Sequence, residues 1–360
     1  MYSTGAGNVS DLLAAILAHA VADGWTTTGG TWPISKGKVK GVHLDTTTRS
    51  VTNFATGVGI AFTETLIRIG IGNTPAEASA RRSTNPVLVP NMNWPIVDWH
   101  IYSNSGAGKP NYIHVSTRFS NGTDSDCFNH FSFGQLDQNG LSYSSVVYAA
   151  SSYRRAYPAS LGATGSTGSL DWNSGVSTRW PHFAAGQFGA YSASHTHADR
   201  LQYIVEGGAS APYNPASGWP ALDTVQNPDL VMCMHGPSLS NYNTPPVITQ
   251  LRDNGGDSYR PFGVGSLAQN QPFSGGVTLQ PIPFVIMNGT GSSALIMYLG
   301  TIPDLFTGAM HSYLPKEEIN YAGDTWMLMP LLRKTDLSQQ ITSQLAVTSG
   351  ALALAYKKVA

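Results

Sequence analysis

Apolar and polar residues alternate most regularly over Tyr112 to Leu136, YIHVSTRFSNGTDSDCFNHFSFGQL. In an extended chain Tyr112, His114, Ser116 and Arg118 take one face and Ile113, Val115, Thr117 and Phe119 the other, because successive strand side chains point to opposite sides. Asn121-Gly122 with Thr123 and Asp124 supplies turn chemistry. Cys127 to Leu136 follows as a second aromatic run, carrying Phe128, Phe131 and Phe133 and ended by Gly134. The spacing predicts a hairpin whose phenylalanines pack a sheet core and whose His114 and His130 make fixed hydrogen bonds. No neighbouring carboxylate orients either imidazole for proton transfer.

A helical period appears clearly near the start. Ser10-Asp11 reads as an N-cap, Leu12, Leu13, Ile16, Leu17 and Val21 as an apolar face, and Gly24 as the stop. Ala14, Ala15, Ala18 and Ala20 let a partner surface come close. Pro75 to Ala78 predicts one further helical turn, ended by Asn85-Pro86. Strand patterns cover Val39 to Ile71, Trp94 to Tyr102, Tyr203 to Glu206, Val277 to Met287, Ala294 to Leu299, Asp324 to Pro330 and Gln344 to Tyr356. The fold class is therefore mainly β, with antiparallel sheets in a sandwich-like arrangement, long loops and a short N-terminal helix. Three segments follow: 1–150, helix plus β-rich core; 151–275, a Gly/Ser/Pro-rich middle that reads as an inserted lobe; and 276–360, strands completing the core.

Composition sharpens this picture. Charged residues make up 11% of the 360 residues, against roughly 25% in ordinary soluble domains. So weakly charged a surface is poorly soluble when fully exposed, which points to burial against other subunits; the rival is a secreted monomer surfaced by Ser, Thr and Asn. The formal net charge is -1, from 20 basic and 21 acidic residues, with no long run of either sign, which argues against nucleic-acid binding. Lys36, Lys38 and Lys40 alternate and would share one solvated strand face. Cys127 and Cys233 are too few for a disulfide framework or zinc site, and one bridge between them stays open. No run approaches the roughly 20 apolar residues of a membrane span. Leu12 to Val21 follows Asp11 rather than a basic segment, so it does not read as a signal peptide.

Candidate chemistry is sparse. His195, His197 and Asp199 share a face if extended and are weak candidates for a metal site; with no third His or Cys at a supporting spacing, a surface role is preferred. Gly263 to Ala268 matches a dinucleotide fingerprint in letters, but lacks the strand before and the helix after it. Asp98, Asp171, Glu206, Asp304, Glu317, Glu318 and Asp324 include no pair that stands out as two glycosidase carboxylates. Trp172, Trp180 and Trp219 are candidate glycan or partner contacts on the middle loops. The expectation is no catalytic residue, no cofactor and no resident metal.

Several short motifs, in order, resemble a family of tailed-bacteriophage virion structural proteins. They are the helix and Gly-Trp over Asp11 to Trp25, Tyr-Ile-His-Val at Tyr112 to Val115, and His-Phe-x-Phe-Gly at His130 to Gly134. Then come Leu-x-Pro-Ile at Leu279 to Ile282, a Gly-x-x-Pro-Asp turn at Gly300 to Asp304, Gly-Asp-Thr-Trp at Gly323 to Trp326 with Pro330, and Ala-Tyr-Lys at Ala355 to Lys357. The resemblance covers both ends of the chain and hardly touches the middle. It implies a virion component of the tail or baseplate, made in the host cytoplasm and assembled as a trimer or ring with other virion proteins. It carries no catalytic residues. Head decoration, receptor or glycan binding and, last, polysaccharide cleavage are the alternatives.

Overall fold

A computed structural model describes residues 1–53, 60–84, 86–89, 96–104, 106, 108–119, 127–138, 145–153, 182–183, 201–205, 231–232, 234–235, 251–252, 258–259, 277, 279–288, 295–310, 312–331, 334 and 352–359. The first elements are β1 (Tyr2–Gly7), α1 (Val9–Ala22), β2 (Thr26–Thr28), β3 (Thr31–Lys36), β4 (Val39–Asn53), β5 (Ile60–Gly72), α2 (Pro75–Thr84) and β6 (Val87–Val89). Then come β7 (Ile96–Ser103), β8 (Tyr112–Phe119), β9 (Cys127–Gln135), β10 (Val146–Tyr153), β11 (His182–Phe183), β12 (Leu201–Val205), β13 (Val231–Met232) and β14 (Met234–His235). The last are β15 (Leu251–Arg252), β16 (Ser258–Tyr259), β17 (Gln280–Asn288), β18 (Leu295–Ala309), β19 (Glu318–Tyr321), β20 (Asp324–Pro330) and β21 (Leu352–Lys358).

The protein is mainly β and its strands pair antiparallel. An eight-stranded central sheet runs β1-β7-β8-β9-β10-β11-β14, with β12 also paired to β10. A six-stranded sheet runs β13-β17-β18-β21-β20-β19, a five-stranded sheet runs β2-β3-β4-β5-β6, and β15 pairs with β16. The central sheet is buried on both faces. Tyr102, Phe128 and Tyr148 pack with Phe284, Leu305, Met329, Leu354 and Tyr356 of the six-stranded sheet. Ile101, Ile113, Val115, Phe131 and Phe133 pack with Ile34, Val42, Leu44, Ile69 and Ile71 of the five-stranded sheet, and with Leu12 and Ile16 of α1. The sandwich therefore has three sheet layers. The aromatic run of β9 divides between two cores because the strand period is two: Phe128 goes one way, Phe131 and Phe133 the other.

The predicted hairpin is present as β8 and β9, with Ile113 opposite Phe133 and Val115 opposite Phe131. The N-terminal helix forms too, but its cap is Asn8, not Ser10. The Asn8 side chain accepts from the Asp11 backbone and the Asp11 side chain reaches back to the Asn8 N–H, a complete capping box. At the other end Asp23 is buried and paired with Lys36 at 2.9 Å, and Lys36 also donates to the Asp23 backbone carbonyl. Lys36 is thus a C-terminal counter-charge to α1. That corrects the reading of Lys36, Lys38 and Lys40 as one strand face, because β3 ends at Lys36 and β4 begins at Val39.

Three further differences have physical reasons. α2 is ten residues long rather than one turn; it lies on a shelf of Gly41, Gly70 and Gly72, where a side chain would meet the backbone of Thr74, Ala78 or Arg82. Arg82 anchors it to Asp45 at 2.7 Å, and Asp45 also holds Arg68 through two hydrogen bonds. Gly300 to Asp304 is not a turn but the middle of β18, where the ladder shifts register and Asp304 adopts φ 50°. β1 was not foreseen at all.

Candidate functional site

Between the central and six-stranded sheets lies a polar seam with a fixed hydrogen-bond direction. His114 Nε2 faces the carbonyl oxygen of Pro303 at 2.7 Å, so this nitrogen carries the proton and donates. Nδ1 must then accept, and the Ser132 hydroxyl, 2.6 Å away, donates to it. Ser132 in turn accepts from Tyr148, whose hydroxyl is 2.6 Å distant. His130 repeats the scheme: Nε2 donates to the Pro330 carbonyl at 2.9 Å and Nδ1 accepts from Tyr356 at 2.7 Å. Both imidazoles are buried and neutral; burial lowers their pKa from 6.5 to about 3 for His114 and about 4 for His130. Burial also raises the phenols of Tyr102, Tyr112 and Tyr356 well above their ordinary value. The seam holds two sheets together through groups whose lone pairs and protons are already committed.

At its rim the seam meets solvent. Asp98 accepts from Arg118 and from Lys316 at 2.5 Å, and His100 lies 3.2 Å from its other oxygen. Burial opposes the Asp98 charge, yet the hydrogen bonds from His100, Lys316 and Arg118 hold its carboxyl well below the usual range. The Tyr2 hydroxyl is 2.7 Å from His100 Nδ1 and its ring lies against His100 and Tyr102. Lys358, paired with Glu318, sits 4.9 Å above the same ring. These groups join β1, β7, β8 and the six-stranded sheet along one flank.

α1 lies on the opposite face of β1 and β7, packed in the core shared with the five-stranded sheet. Its inner residues Leu12, Ile16 and Ala20 are buried, while Ala14, Ala18 and Val21 face outward, Val21 at 53% exposure, with Leu17 half-buried between them. Positions 14, 17, 18 and 21 form one stripe on a helix, and the sole charged side chain of α1 is Asp11, in its first turn. His19 pins the helix to the sheet, bonded to Ser3 at 2.7 Å and Ser103 at 2.9 Å. Burial lowers its pKa to about 4.

His195, His197, Asp199, Trp172, Trp180, Trp219 and Cys233 lie outside the described residues. Among the described residues no group of three or more His, Cys, Asp or Glu side chains is placed to hold a metal ion, and no helix is long and apolar enough to cross a membrane. Of the carboxylates considered for catalysis, Asp98 is bound as above. Asp304 accepts from Tyr112 at 2.8 Å, and Asp324 pairs with Lys357 at 2.7 Å. Sequence reasoning missed the Asp98–His100–Tyr2 alignment. Its one signal was Asp98 and His100 two apart on a predicted strand; the Tyr2 partner sits on a strand with no apolar period. Comparison with known proteins gives no matching family model and no matching curated relative.

Proposed function

We propose that this chain is a structural component of a tailed-bacteriophage particle, of tail or baseplate type, that acts by assembling with copies of itself and neighbouring virion proteins. The observation that carries the assembly reading is the outward stripe of α1: Ala14, Leu17, Ala18 and Val21 present an uncharged surface on a chain with only 11% charged residues. Covering such a stripe removes apolar area from water at about 25 cal/mol per Å². The virion assignment rests on the ordered motifs from Asp11 to Lys357. Light scattering across a concentration series tests assembly: the full chain oligomerises, and Ala18→Glu or Val21→Glu, placed on exposed positions, shifts it toward monomer. A wild-type chain that stays monomeric at high concentration overturns the reading. Position and copy number in an electron-microscopy map of the particle test the virion assignment.

One observation favours a second reading, capture of a surface glycan. On the outer face of the six-stranded sheet Tyr321 is 44% exposed, its ring edge-on to Phe306, which stacks on Trp326 at 4.6 Å. The Asp324–Lys357 pair lies on the same face. Aromatic rings beside hydrogen-bonding charges suit the apolar faces and hydroxyls of a pyranose. Binding of host polysaccharide that is lost in Tyr321→Ala supports this reading; no retention of the wild-type protein removes it.

A further inference from the structure

We infer that β1 is an assembly edge, and that a second copy of this chain adds its own β1 there, antiparallel, to continue the central sheet across a two-fold axis. This rests on the assembly reading above and assigns it a specific contact.

Among the described residues, the hydrogen-bond pattern shows which groups are left to pair. Met1 and Ser103 exchange both backbone bonds, Met1 N to Ser103 O at 2.7 Å and Ser103 N to Met1 O at 3.0 Å. In an antiparallel ladder such pairs alternate with pairs that exchange none. The register places Tyr2 opposite Tyr102, Ser3 opposite Ile101 and Thr4 opposite His100. Ser3 therefore bonds to β7, while Tyr2 and Thr4 turn their N–H and C=O groups away from it. Among the described strands β1 ends the central sheet, so those groups point off its edge.

Edge strands are usually protected by charge, proline or brevity. β19 has four residues and carries Glu318, β2 and β6 have three residues each, and β13 and β14 have two. β1 has six residues, Tyr-Ser-Thr-Gly-Ala-Gly, with neither a charge nor a proline. It is also held in place. Tyr2 is fixed by the His100 bond and by ring contacts with His100 and Tyr102; Ser3 is fixed by His19, and Thr4 donates to the Trp99 carbonyl at 2.8 Å. The unpaired groups are thus presented in one geometry, which lowers the ordering cost of strand addition.

The strand suits itself as a partner. A two-fold through Thr4 sets Thr4 against Thr4 of the second copy and Tyr2 against Ala6, large opposite small, and brings no like charges together. Thr4 and Ala6 are both exposed.

Sedimentation equilibrium of the full chain tests this. Thr4→Pro removes an outward N–H while breaking no backbone bond to β7; the Thr4 hydroxyl bond to the Trp99 carbonyl is lost in Thr4→Pro and Thr4→Val alike, and Ala6→Lys adds a charge at an exposed site. Each raises the dimer dissociation constant at least tenfold, whereas Thr4→Val, which keeps the N–H, stays near wild type. If Thr4→Pro does not fold, Ala6→Lys decides. Unchanged association in Thr4→Pro and Ala6→Lys, with loss in Val21→Glu, overturns the β1 contact and leaves the assembly reading standing through α1. A monomeric wild type overturns both.

Discussion

His114 on β8 donates a hydrogen bond to the carbonyl of Pro303 on β18 at 2.7 Å, and this contact ties the central sheet to the six-stranded sheet across 189 residues of sequence. The donor and acceptor roles around the ring are settled by the carbonyl, which can only accept. A second imidazole, His130, does the same with Pro330. Four expectations follow from these and neighbouring contacts.

Stability falls as acid is added, beginning well above the carboxylate range. The folded-state pKa values of His19, His114 and His130 are lowered from 6.5 to about 4, 3 and 4, so the unfolded chain binds more protons below pH 6.5. The stabilisation is complete above that pH and is lost as pH falls toward the folded-state values. Each histidine contributes a slope approaching about 1.4 kcal/mol per pH unit in that window. Urea midpoints measured from pH 7 to pH 4.5 should fall steadily; a flat profile down to pH 5 contradicts the neutral, buried assignment.

Removing one partner in the seam is costly because the other is left buried. His130→Ala strands the Tyr356 hydroxyl and the Pro330 carbonyl, and should cost about 3 kcal/mol from lost hydrogen bonds plus a cavity. Tyr356→Phe should cost about 1 kcal/mol in the wild type and less in the His130→Ala background. Denaturant unfolding of the two single variants and the double variant measures the coupling, and strict additivity would show that the bond contributes nothing.

The ion pair at the end of α1 is a third target. The Asp23 side chain is 1% exposed and that of Lys36 21%, so Lys36→Met leaves a buried carboxylate without its cation. A loss of about 3 kcal/mol is expected, whereas Lys38→Met, on the exposed turn beside it, should change stability by less than about 0.5 kcal/mol. Equal effects from the two would contradict the buried pair.

The glycine shelf under α2 admits no side chain. A methyl group at Gly41 would lie 2.6 Å from the Thr74 carbonyl oxygen, and one at Gly70 would press on the backbone of Ala78 and Arg82. Gly70→Ala should destabilise by roughly 1–3 kcal/mol. It should also speed amide exchange in Pro75 to Thr84 while leaving β8 and β9 unchanged.

How much of this was legible in the residues depended on the period. β8 was readable because Tyr112, His114, Ser116 and Arg118 alternate with apolar neighbours, and the helix because Leu12, Ile16 and Ala20 recur at helical spacing. β1 was invisible, since Tyr-Ser-Thr-Gly-Ala-Gly has no apolar period and is held by bonds to residues about 100 positions away. β18 was cut short because Gly300 and Pro303 look like punctuation, yet they mark an irregular stretch inside a 15-residue strand. The rim of Asp98, His100, Arg118 and Tyr2 needed the strand order before its members could be seen as neighbours.

The paired histidines also act as gauges of strand alignment. A slip of one residue in β18 would carry the Pro303 carbonyl about 3.3 Å along the strand and reverse which face each side chain takes. His114 would then hold a buried proton with no acceptor, and His130 sets the same condition on β20 through Pro330. An oily interface tolerates many alignments of two sheets; one crossed by two directional bonds accepts few. The polar seam thus selects a single stacking of the two sheets from among those that hydrophobic burial alone would permit.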